Sequence, residues 1–203
     1  MLNMRWIYPS SSKYGIPDIK APTVEELPAP PETLIPYNIR VRSALRYADA
    51  AMHFFLDDYR FELCWSKPIL TLSRVTQAQL AFTPDFSLYS DFPRAAQIWN
   101  TYRNHWLGAY WQSNGLQIIP TIAWSTPDSY DFCFDGVEYG SPVAVSVQGL
   151  RQNKDFVNLF EDGYREKGSS FTPIRNRIVI TGRGRRNRLP LTERLLDPSR
   201  GRP

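Results

Sequence analysis

Three aspartates follow two short apolar runs in this chain of 203 residues. Asp57 and Asp58 come directly after residues 53–56, and Asp85 follows residues 79–82. If the two runs are neighbouring strands, about 4.8 Å apart, their terminal carboxylates lie within several Å of each other. Such carboxylates can share a proton, serve as the acid and nucleophile of a glycosidase, or bind a divalent metal ion. The pattern predicts a catalytic site formed by Asp57, Asp58 and Asp85.

The same aspartates also allow a structural interpretation. Adjacent residues of a strand point to opposite faces, so Asp57 and Asp58 share a site only if the chain has already turned. Asp58 can instead cap a following turn, and Asp57 can form an ion pair with Arg60. The sequence leaves both interpretations open.

A metal ion at this place would have carboxylate ligands. The chain has two histidines, His53 and His105, which excludes a zinc site built from several histidines. A magnesium or manganese ion held by Asp57, Asp85 and water is the expectation that remains. His105 is interpreted as a packed or surface residue of a helix rather than as a catalytic base.

Two polar residues of a predicted helix are candidates for substrate binding. Asn100 and Arg103 share one helix face, and the planar guanidinium of Arg103 suits a carboxylate or a phosphate. Arg103 can equally pair with an acid such as Asp85 or Asp91, and the sequence favours this structural role.

Three further candidates for substrate binding lie at the ends of other apolar runs. Trp124 and Ser125 end the run that contains Ile118, and Gln148 ends the run that starts at Val143. A tryptophan at such a position can stack on a sugar or a base, although the same residue often closes the end of a hydrophobic core.

Five apolar runs, most of them separated by segments of helix length, predict the sheet that would position these residues. This arrangement is typical of β-strand, helix, β-strand units, in which the carboxyl ends of parallel strands share one edge and ligands usually bind there. The predicted strands cover residues 53–56, 79–82, 117–123, 143–147 and 177–181. Because five strands are too few for a closed eightfold barrel, we expect an α/β fold with a mostly parallel sheet of about five strands and flanking helices, as an open sheet or an incomplete TIM-like barrel.

Three helices are predicted around these strands, over residues 40–50, 92–112 and 154–166. Residues 61–75 are expected to hold a turn or two of helix, broken at Pro68. The longest helix has a broad apolar stripe at spacings of three and four, formed by Ala95, Ile98, Trp99, Tyr102, Trp106, Ala109 and Tyr110.

Composition is that of an ordinary globular protein, with 42% hydrophobic and 22% charged residues. No apolar stretch approaches the length of a membrane span, and residues near Met1 lack the pattern of a signal peptide. Cys64 and Cys133 are interpreted as two lone thiols in apolar surroundings, as expected outside oxidising compartments. We therefore expect a cytoplasmic protein with no membrane partner.

The positive charge of the chain is concentrated at its C-terminal end. Residues 182–203 carry a net charge of +5, whereas the formal net charge of the whole chain is +4. Residues 1–181 therefore carry a net charge of −1. Such a run is usually a solvated terminus, and contact with nucleic acid is the sharper alternative. The residues of this candidate nucleic-acid tail are Arg183, Arg185, Arg186 and Arg188.

The N-terminal part of the chain is rich in proline but also apolar. Seven prolines lie between Pro9 and Pro36, and proline disfavours both helices and central strands. We expect residues 1–36 to form an extended arm packed on the domain, residues 37–182 a single α/β domain, and residues 183–203 a flexible Arg-rich tail.

Common signatures of nucleotide-binding proteins and serine hydrolases are absent from the sequence. It contains no phosphate-binding loop with a Gly-Lys-Ser or Gly-Lys-Thr ending, no dinucleotide-binding fingerprint after the first predicted strand, and no Gly-x-Ser-x-Gly motif. These chemistries are therefore disfavoured.

Several blocks of the sequence, in order, resemble the domain-of-unknown-function family 4417. They are residues 14–17 (YGIP), 53–62 (HFFLDDYRFE), 84–89 (PDFSLY), 100–103 (NTYR), 106–112 (WLGAYWQ), 119–124 (IPTIAW) and 141–149. The likeness covers about residues 14–182 and does not include the Arg-rich end. It implies a bacterial, phage or mobile-element protein, and since the family has no established activity it assigns no catalytic role to any residue.

Two functional hypotheses follow from the sequence. The first is a hydrolase or a phosphoryl-transfer enzyme with a carboxylate-lined site at the C-terminal edge of the sheet. The alternative is a non-catalytic binding or accessory protein of a phage or mobile element, which contacts nucleic acid or a partner protein. The accumulation of polar and aromatic residues at several strand ends favours the enzyme.

Overall fold

A computed structural model describes residues 6–23, 26, 31, 33–39, 50–78, 80–138, 141–146, 162 and 178–181. Six strands lie within these ranges: β1 Thr33–Pro36, β2 Ala50–His53, β3 Leu80–Phe82, β4 Gln117–Ile119, β5 Val143–Ser146 and β6 Ile178–Thr181. The α-helices are α1 Glu62–Ser66, α2 Pro68–Val75 and α3 Arg94–Gln112. Two 3-10 helices cover Asp58–Arg60 and Pro127–Asp131.

The described strands form two groups of parallel strands, one of four and one of two, and their order in space follows the chain. β1, β2, β3 and β4 are neighbours in that order, and β5 pairs in parallel with β6. A bridge between Thr121 and Ala144 joins the two groups of strands. The amide of Ala144 donates to the carbonyl of Pro120 at 2.9 Å, and the amide of Ile122 donates to the carbonyl of Ala144 at 2.9 Å. The predicted α/β fold with an open parallel sheet is thus confirmed.

One strand was not predicted, and another needs correction. β1 lies in the Pro-rich stretch, where helices and central strands were disfavoured, and it occupies the edge of the four-stranded sheet, where a proline such as Pro36 is tolerated. β2 ends at His53, where the predicted strand begins. The chain turns directly afterwards, since the amide of Leu56 donates to the carbonyl of Phe54 at 2.8 Å.

The predicted helices have different outcomes. Residues 92–112 contain α3 as predicted, and residues 61–75 contain α1 and α2, which meet at Pro68. Pro68 starts α2 because the first turn of a helix does not need its missing amide. Ala50, the last residue of the helix predicted over 40–50, begins β2 instead, and the other residues of that helix lie outside the described residues. Of the helix predicted over 154–166, only residue 162 is described.

Alternate side chains of the strands bury the two faces of the sheet in separate clusters. Met52, Ala81 and Ile118 pack with α3 residues such as Leu107 and Trp111. On the opposite face, the neighbouring positions form a second cluster with Ala51, Leu80, Phe82, Ile119 and Ala144. This alternation is the period of two expected for strands. Each large apolar side chain buried in this way contributes about 1.5–3 kcal/mol to stability.

The N-terminal half of α3 is turned differently from the prediction. Of the predicted apolar stripe, Ala95 and Trp99 are exposed, and Trp99 keeps 49% of its surface in solvent. The buried residues of this half are instead polar, namely Gln97, Asn100, Thr101 and Asn104. The apolar stripe is fully buried in the C-terminal half, at Trp106, Ala109 and Tyr110, whereas Ile98 and Tyr102 of the N-terminal half are partly buried against core residues.

Residues 6–23 lie on the rest of the fold without a helix or a strand. Ile16 and Ile19 are buried, and the amide of Ile19 donates to the carbonyl of Gly136 at 2.8 Å. Asp131 accepts hydrogen bonds from Tyr14 and Arg94 and so ties this segment to the start of α3. The division of the chain into arm, domain and tail stays a prediction.

Both cysteines are buried and form no disulfide bond, with Cys64 among the residues of the main core and Cys133 near Ile16. Within the part of the chain that the structure describes, no helix has the length and apolar character needed to cross a membrane. A cytoplasmic location stays a prediction.

Gly108 provides a test of the packing between α3 and the sheet. A Cβ atom at this position would lie 2.7 Å from Ile19 Cδ1 and 2.7 Å from Thr83 Cγ2. Helix propensity alone makes Gly108→Ala stabilising by up to about 1 kcal/mol, whereas overpacking costs about 1–3 kcal/mol. We expect the free energy of unfolding, measured by urea denaturation, to fall. Ala95→Gly, at an exposed position of the same helix, measures the propensity alone, and a more stable Gly108→Ala protein would contradict the close contact.

Candidate functional site

The two aspartates after β2 are separated by a turn. Asp57 immediately precedes the 3-10 helix that begins at Asp58, and its exposed carboxylate accepts from Arg60 Nε at 3.0 Å. Asp58 is half-buried and contacts the loop after β3. The structure therefore places Asp57 in the surface ion pair that the structural interpretation described, and brings Asp58 to the neighbouring strand.

Asp58 binds both polar groups of Ser87. The hydroxyl of Ser87 donates to Asp58 Oδ1 at 2.9 Å, and the amide of Ser87 donates to Asp58 Oδ2 at 3.2 Å. Since a carboxylate acceptor makes these charge-assisted hydrogen bonds, they are stronger than bonds between neutral groups. They fasten the loop after β3 to the turn after β2.

Asp85 is the unusual acid of this edge of the sheet. Burial of its carboxyl, and secondarily the nearby negative charge of Asp58, raise its pKa from the ordinary value of 3.8 to about 7. Both causes disfavour the ionised form. Near neutral pH the carboxyl group of Asp85 is therefore present in both its protonated and its ionised form, as a general acid or base requires.

Asn100 and Arg103 extend this polar cluster along α3. Asn100 Nδ2 donates to the carbonyl of Ser87 at 2.8 Å, and Arg103 Nη2 donates to Asn100 Oδ1 at 2.6 Å. Arg103 Nη1 binds both carboxylate oxygens of Glu62, at 3.1 and 2.9 Å. The guanidinium carbon of Arg103 also lies 3.9 Å from the ring centroid of Phe86.

The acid partner of Arg103 is thus Glu62, and neither Asp85 nor Asp91 as the sequence suggested. Glu62 opens α1, directly after the turn that carries Asp58. Because Nη1 and Nη2 of Arg103 both bind protein groups, this side chain holds α1 and α3 together. Its role as a substrate-binding group stays a prediction without a contact to support it.

Trp124 and Ser125 belong to a different part of the structure. The ring of Trp124 is partly buried and lies 6.1 Å from that of Phe134, in a tilted arrangement. The amide of Ser125 donates to Ser129 Oγ at 3.0 Å, within the turn around the second 3-10 helix. Gln148 and the arginines of the predicted tail, Arg183, Arg185, Arg186 and Arg188, lie outside the described residues.

The described residues contain no group of three or more His, Cys, Asp or Glu side chains placed to hold a metal ion. Asp57, one of the two predicted ligands, is paired with Arg60. Asp58 and Asp85 are the carboxylates that remain together, and magnesium is often bound by one or two carboxylates while it keeps several waters.

The two histidines lie in packed positions. His53 is partly buried, burial lowers its pKa from 6.5 to about 4, and its Nδ1 accepts from the amide of Phe55 at 3.3 Å. His105 is buried, and its Nδ1 lies 2.9 Å from the carbonyl oxygen of Pro17. These positions agree with the interpretation of His105 as a packed residue.

Sequence reasoning missed Ser87 and Glu62 as members of this cluster. Ser87 stands two residues after Asp85, and Glu62 stands four residues after Asp58, spacings that carry no recognised motif. Their contacts cross between loops and helices, so that only the folded chain brings them to Asp58 and Arg103. The cluster Asp58, Asp85, Ser87, Asn100, Arg103 and Glu62 is called the edge cluster below.

Comparison with known families identifies the relatives of this chain. Residues 8–186 match the family described as "Domain of unknown function (DUF4417)". The chain belongs to the DUF4417 family. This confirms the resemblance predicted from the sequence, and the match reaches four residues further than the expected end at residue 182.

Two phage proteins illustrate the DUF4417 relatives. The chain is 50% identical over 172 residues to the Gene 1 protein of Mycobacterium phage L5, covering 82% of this chain and 71% of that protein. It is 48% identical over 167 residues to the Gene 1 protein of Mycobacterium phage D29, covering 82% of this chain and 60% of that protein. No solved structure matches this DUF4417 chain.

Replacing Asp85 by its uncharged isostere tests the acid at the edge cluster. The folded protein binds the proton of Asp85 more tightly than the unfolded chain does, so its free energy of unfolding falls as the pH rises from about 4 to about 7. Asp85→Asn removes this cost. We expect the mutant to be more stable than the wild type at pH 8, by about 1–3 kcal/mol, and the difference to shrink towards pH 4, in urea denaturation at both pH values.

Asp57→Asn is the matched control for this experiment, because it removes a carboxylate of the same segment that lies in an exposed ion pair. Its effect should be small and should not follow the pH profile of Asp85→Asn. A wild-type protein and an Asp85→Asn protein with the same pH dependence would show that Asp85 titrates in its usual range.

Proposed function

We propose that this chain is an acid–base enzyme, and in the simplest case a hydrolase, whose reacting groups are Asp58 and Asp85. The observation that carries the proposal is a half-buried acid, Asp85, near enough to a second carboxylate, Asp58, for its charge to raise the pKa of Asp85, at the C-terminal edge of a parallel sheet. Ligands of such sheets usually bind at this edge. A carboxyl group whose pKa is raised near a second carboxylate is a common arrangement in hydrolases.

The environments of the two acids suggest different roles. Asp58 accepts two hydrogen bonds from Ser87, one from its hydroxyl and one from its amide. Asp85 has its pKa raised to about 7, so it can give a proton to a leaving group and take one from water at neutral pH. Asn100 and Arg103 act in this proposal as positioning residues, because Asn100 holds the carbonyl of Ser87 and Arg103 holds Asn100.

The contacts of Arg103 favour hydrolysis of an uncharged substrate over phosphoryl transfer. A phosphate needs a cation or a set of amide donors close to the reacting carboxylates. Arg103, the cation that the sequence suggested, already binds Glu62 and Asn100. Since both terminal nitrogens of Arg103 are engaged in this way, the site of Asp58 and Asp85 suits an uncharged substrate, an ester or a glycoside, better than an anionic one.

A divalent cation is a variant of the same proposal. Magnesium or manganese would bind Asp58 and Asp85, rather than the predicted pair Asp57 and Asp85, and would relieve the repulsion between the two carboxylates. In that case the ion would polarise the substrate or activate water.

One experiment separates these forms of the proposal. The wild type, Asp85→Asn and the control Asp57→Asn are titrated with Mg²⁺, Mn²⁺, Ca²⁺ and Zn²⁺ in a thermal-shift assay at pH 8, and each is then assayed on p-nitrophenyl esters and glycosides. We expect hydrolysis of one substrate class to fall at least about a hundredfold in Asp85→Asn, the scale of general acid–base catalysis, and to persist in Asp57→Asn. A cation that stabilises the wild type but not Asp85→Asn would establish the metal variant.

Equal hydrolysis by the wild type and Asp85→Asn would contradict the enzyme proposal. So would a lower melting temperature of Asp85→Asn at pH 8, since a structural carboxylate costs stability when a buried partner is left unpaired.

The alternative, a non-catalytic binding protein, is favoured by a separate observation. Apolar side chains of the three α-helices are exposed: Leu63 by 45%, Ile69 by 83%, Leu70 by 65% and Trp99 by 49%. Exposed apolar side chains of this kind are candidates for a protein-binding surface. The ring of Trp99 contacts that of Trp65 with centroids 5.2 Å apart, which keeps it in a defined orientation.

Nucleic-acid binding by the Arg-rich end is a further part of this alternative. Deletion of residues 183–203 removes the whole Arg-rich tail predicted from the sequence, including Arg183, Arg185, Arg186 and Arg188. If these residues bind nucleic acid, the deletion should weaken the binding of double-stranded DNA and reduce its salt dependence, as each phosphate contact contributes about 0.9 to the slope of log K against log salt. Fluorescence anisotropy with a labelled duplex at several salt concentrations measures both quantities, and unchanged binding would exclude this segment.

A further inference from the structure

The hydroxyl of Ser87 stands beside the carboxylate of Asp58 in the arrangement of an activated nucleophile. Its Oγ lies 2.9 Å from Asp58 Oδ1, with the hydroxyl donating. A nucleophile and its base within hydrogen-bond distance, with a third group that acts on the base, form the general pattern of covalent catalysis. In the edge cluster the nucleophile and the base of this pattern are Ser87 and Asp58, and Asp85 stands two residues before Ser87 in the chain.

The backbone of Ser87 is fixed on both sides. Its amide donates to Asp58 Oδ2 at 3.2 Å, and its carbonyl accepts from Asn100 Nδ2 at 2.8 Å. Asn100 is itself held by Arg103, with 2.6 Å between Nη2 and Oδ1. The Oγ atom of Ser87 is therefore carried by a backbone with little freedom, while the residue remains only half-buried. Such pre-positioning is what a reacting group requires.

We propose that Ser87 is a catalytic nucleophile that attacks esters, with Asp58 as the base that accepts its proton. This inference rests on the proposed hydrolase function and adds the covalent step to it. The sequence offers no Gly-x-Ser-x-Gly motif, so that the serine would be recognised by its geometry rather than by a sequence signature.

The covalent step is balanced by the groups of the cluster. Ser87 Oγ forms a bond to the carbonyl carbon of a carboxylic ester, and its proton passes to Asp58. The bond from that carbon to the alcohol oxygen then breaks, and the alcohol leaves with the proton of Asp85. Water next attacks the acyl-serine and gives a proton to Asp85, while Asp58 returns its proton to Ser87 Oγ. The products are the acid and the alcohol, and no other reactant is needed.

A fluorophosphonate probe carrying biotin tests this inference on the full chain. The probe phosphonylates activated serines, and the tryptic peptide of residues 75–94 contains both Ser87 and Ser90. Ser90 is exposed and three residues away, so that it serves as the control in the same peptide. We expect tandem mass spectrometry to place the label on Ser87 in the wild type and in Ser90→Ala, with none at this position after heat unfolding.

Variants of the base and of the nucleophile make the test specific. Asp58→Asn should slow the labelling of Ser87 at least tenfold, and Asp57→Asn should leave it unchanged. No label on Ser87 in the folded wild type, or equal labelling of Ser87 and Ser90, would overturn the inference, and neither result depends on a variant that has to fold.

Hydrolysis of p-nitrophenyl acetate separates this inference from the proposed function. If Ser87→Ala keeps the wild-type rate while Asp85→Asn loses it, water attacks directly, and the hydrolase proposal survives without the nucleophile. If both variants keep the wild-type rate, both proposals fail. Loss of the rate in both variants, together with the label on Ser87, supports the two together.

Discussion

This fold depends on hydrogen bonds from buried polar side chains of α3 to backbone carbonyl groups of neighbouring loops. Asn100 Nδ2 donates to the carbonyl of Ser87 at 2.8 Å, and Asn104 Nδ2 donates to that of Thr121 at 3.0 Å. Gln97 Nε2 donates to two carbonyls of the loop that leads into α3, at 3.1 and 3.0 Å. A buried carbonyl without a partner costs about 1–3 kcal/mol. Hydrogen bonds from α3 therefore offset the cost of burying the backbone carbonyl groups of the irregular loops at the ends of β3 and β4.

This constraint also explains how a candidate site can form without a recognisable motif. The loop after β3 is fixed from two directions, by Asn100 of α3 and by Asp58 of the turn after β2. Between these contacts Asp85 is held where its carboxyl is partly withdrawn from water and close to a second acid. Placing an acid there opposes stability at neutral pH, and such unfavourable placements are concentrated at functional sites.

Local patterns in the sequence were sufficient to predict much of the architecture. The runs at β3, β4 and β5 and the helix α3 were located within a few residues, because apolar periodicity and the proline at residue 68 act over short distances. The family resemblance was equally a property of short blocks. β1 could not be predicted, because its proline at residue 36, the prolines before it and its short length obscure an edge strand that depends on pairing with β2.

The sequence by itself determined the class of fold, the family and the presence of three acids near strand ends. Only the tertiary structure decided which acid meets which. Because the chain turns at residues 54–58, Asp57 forms a surface ion pair with Arg60, whereas Asp58 binds Ser87. The packing of α1 against α3 places Glu62 in an ion pair with Arg103. It also decided that the N-terminal half of α3 buries its polar face. The physical reason is that these pairings join residues up to 41 positions apart in the chain, and their energies depend on burial and on neighbouring charges, which no local spacing records.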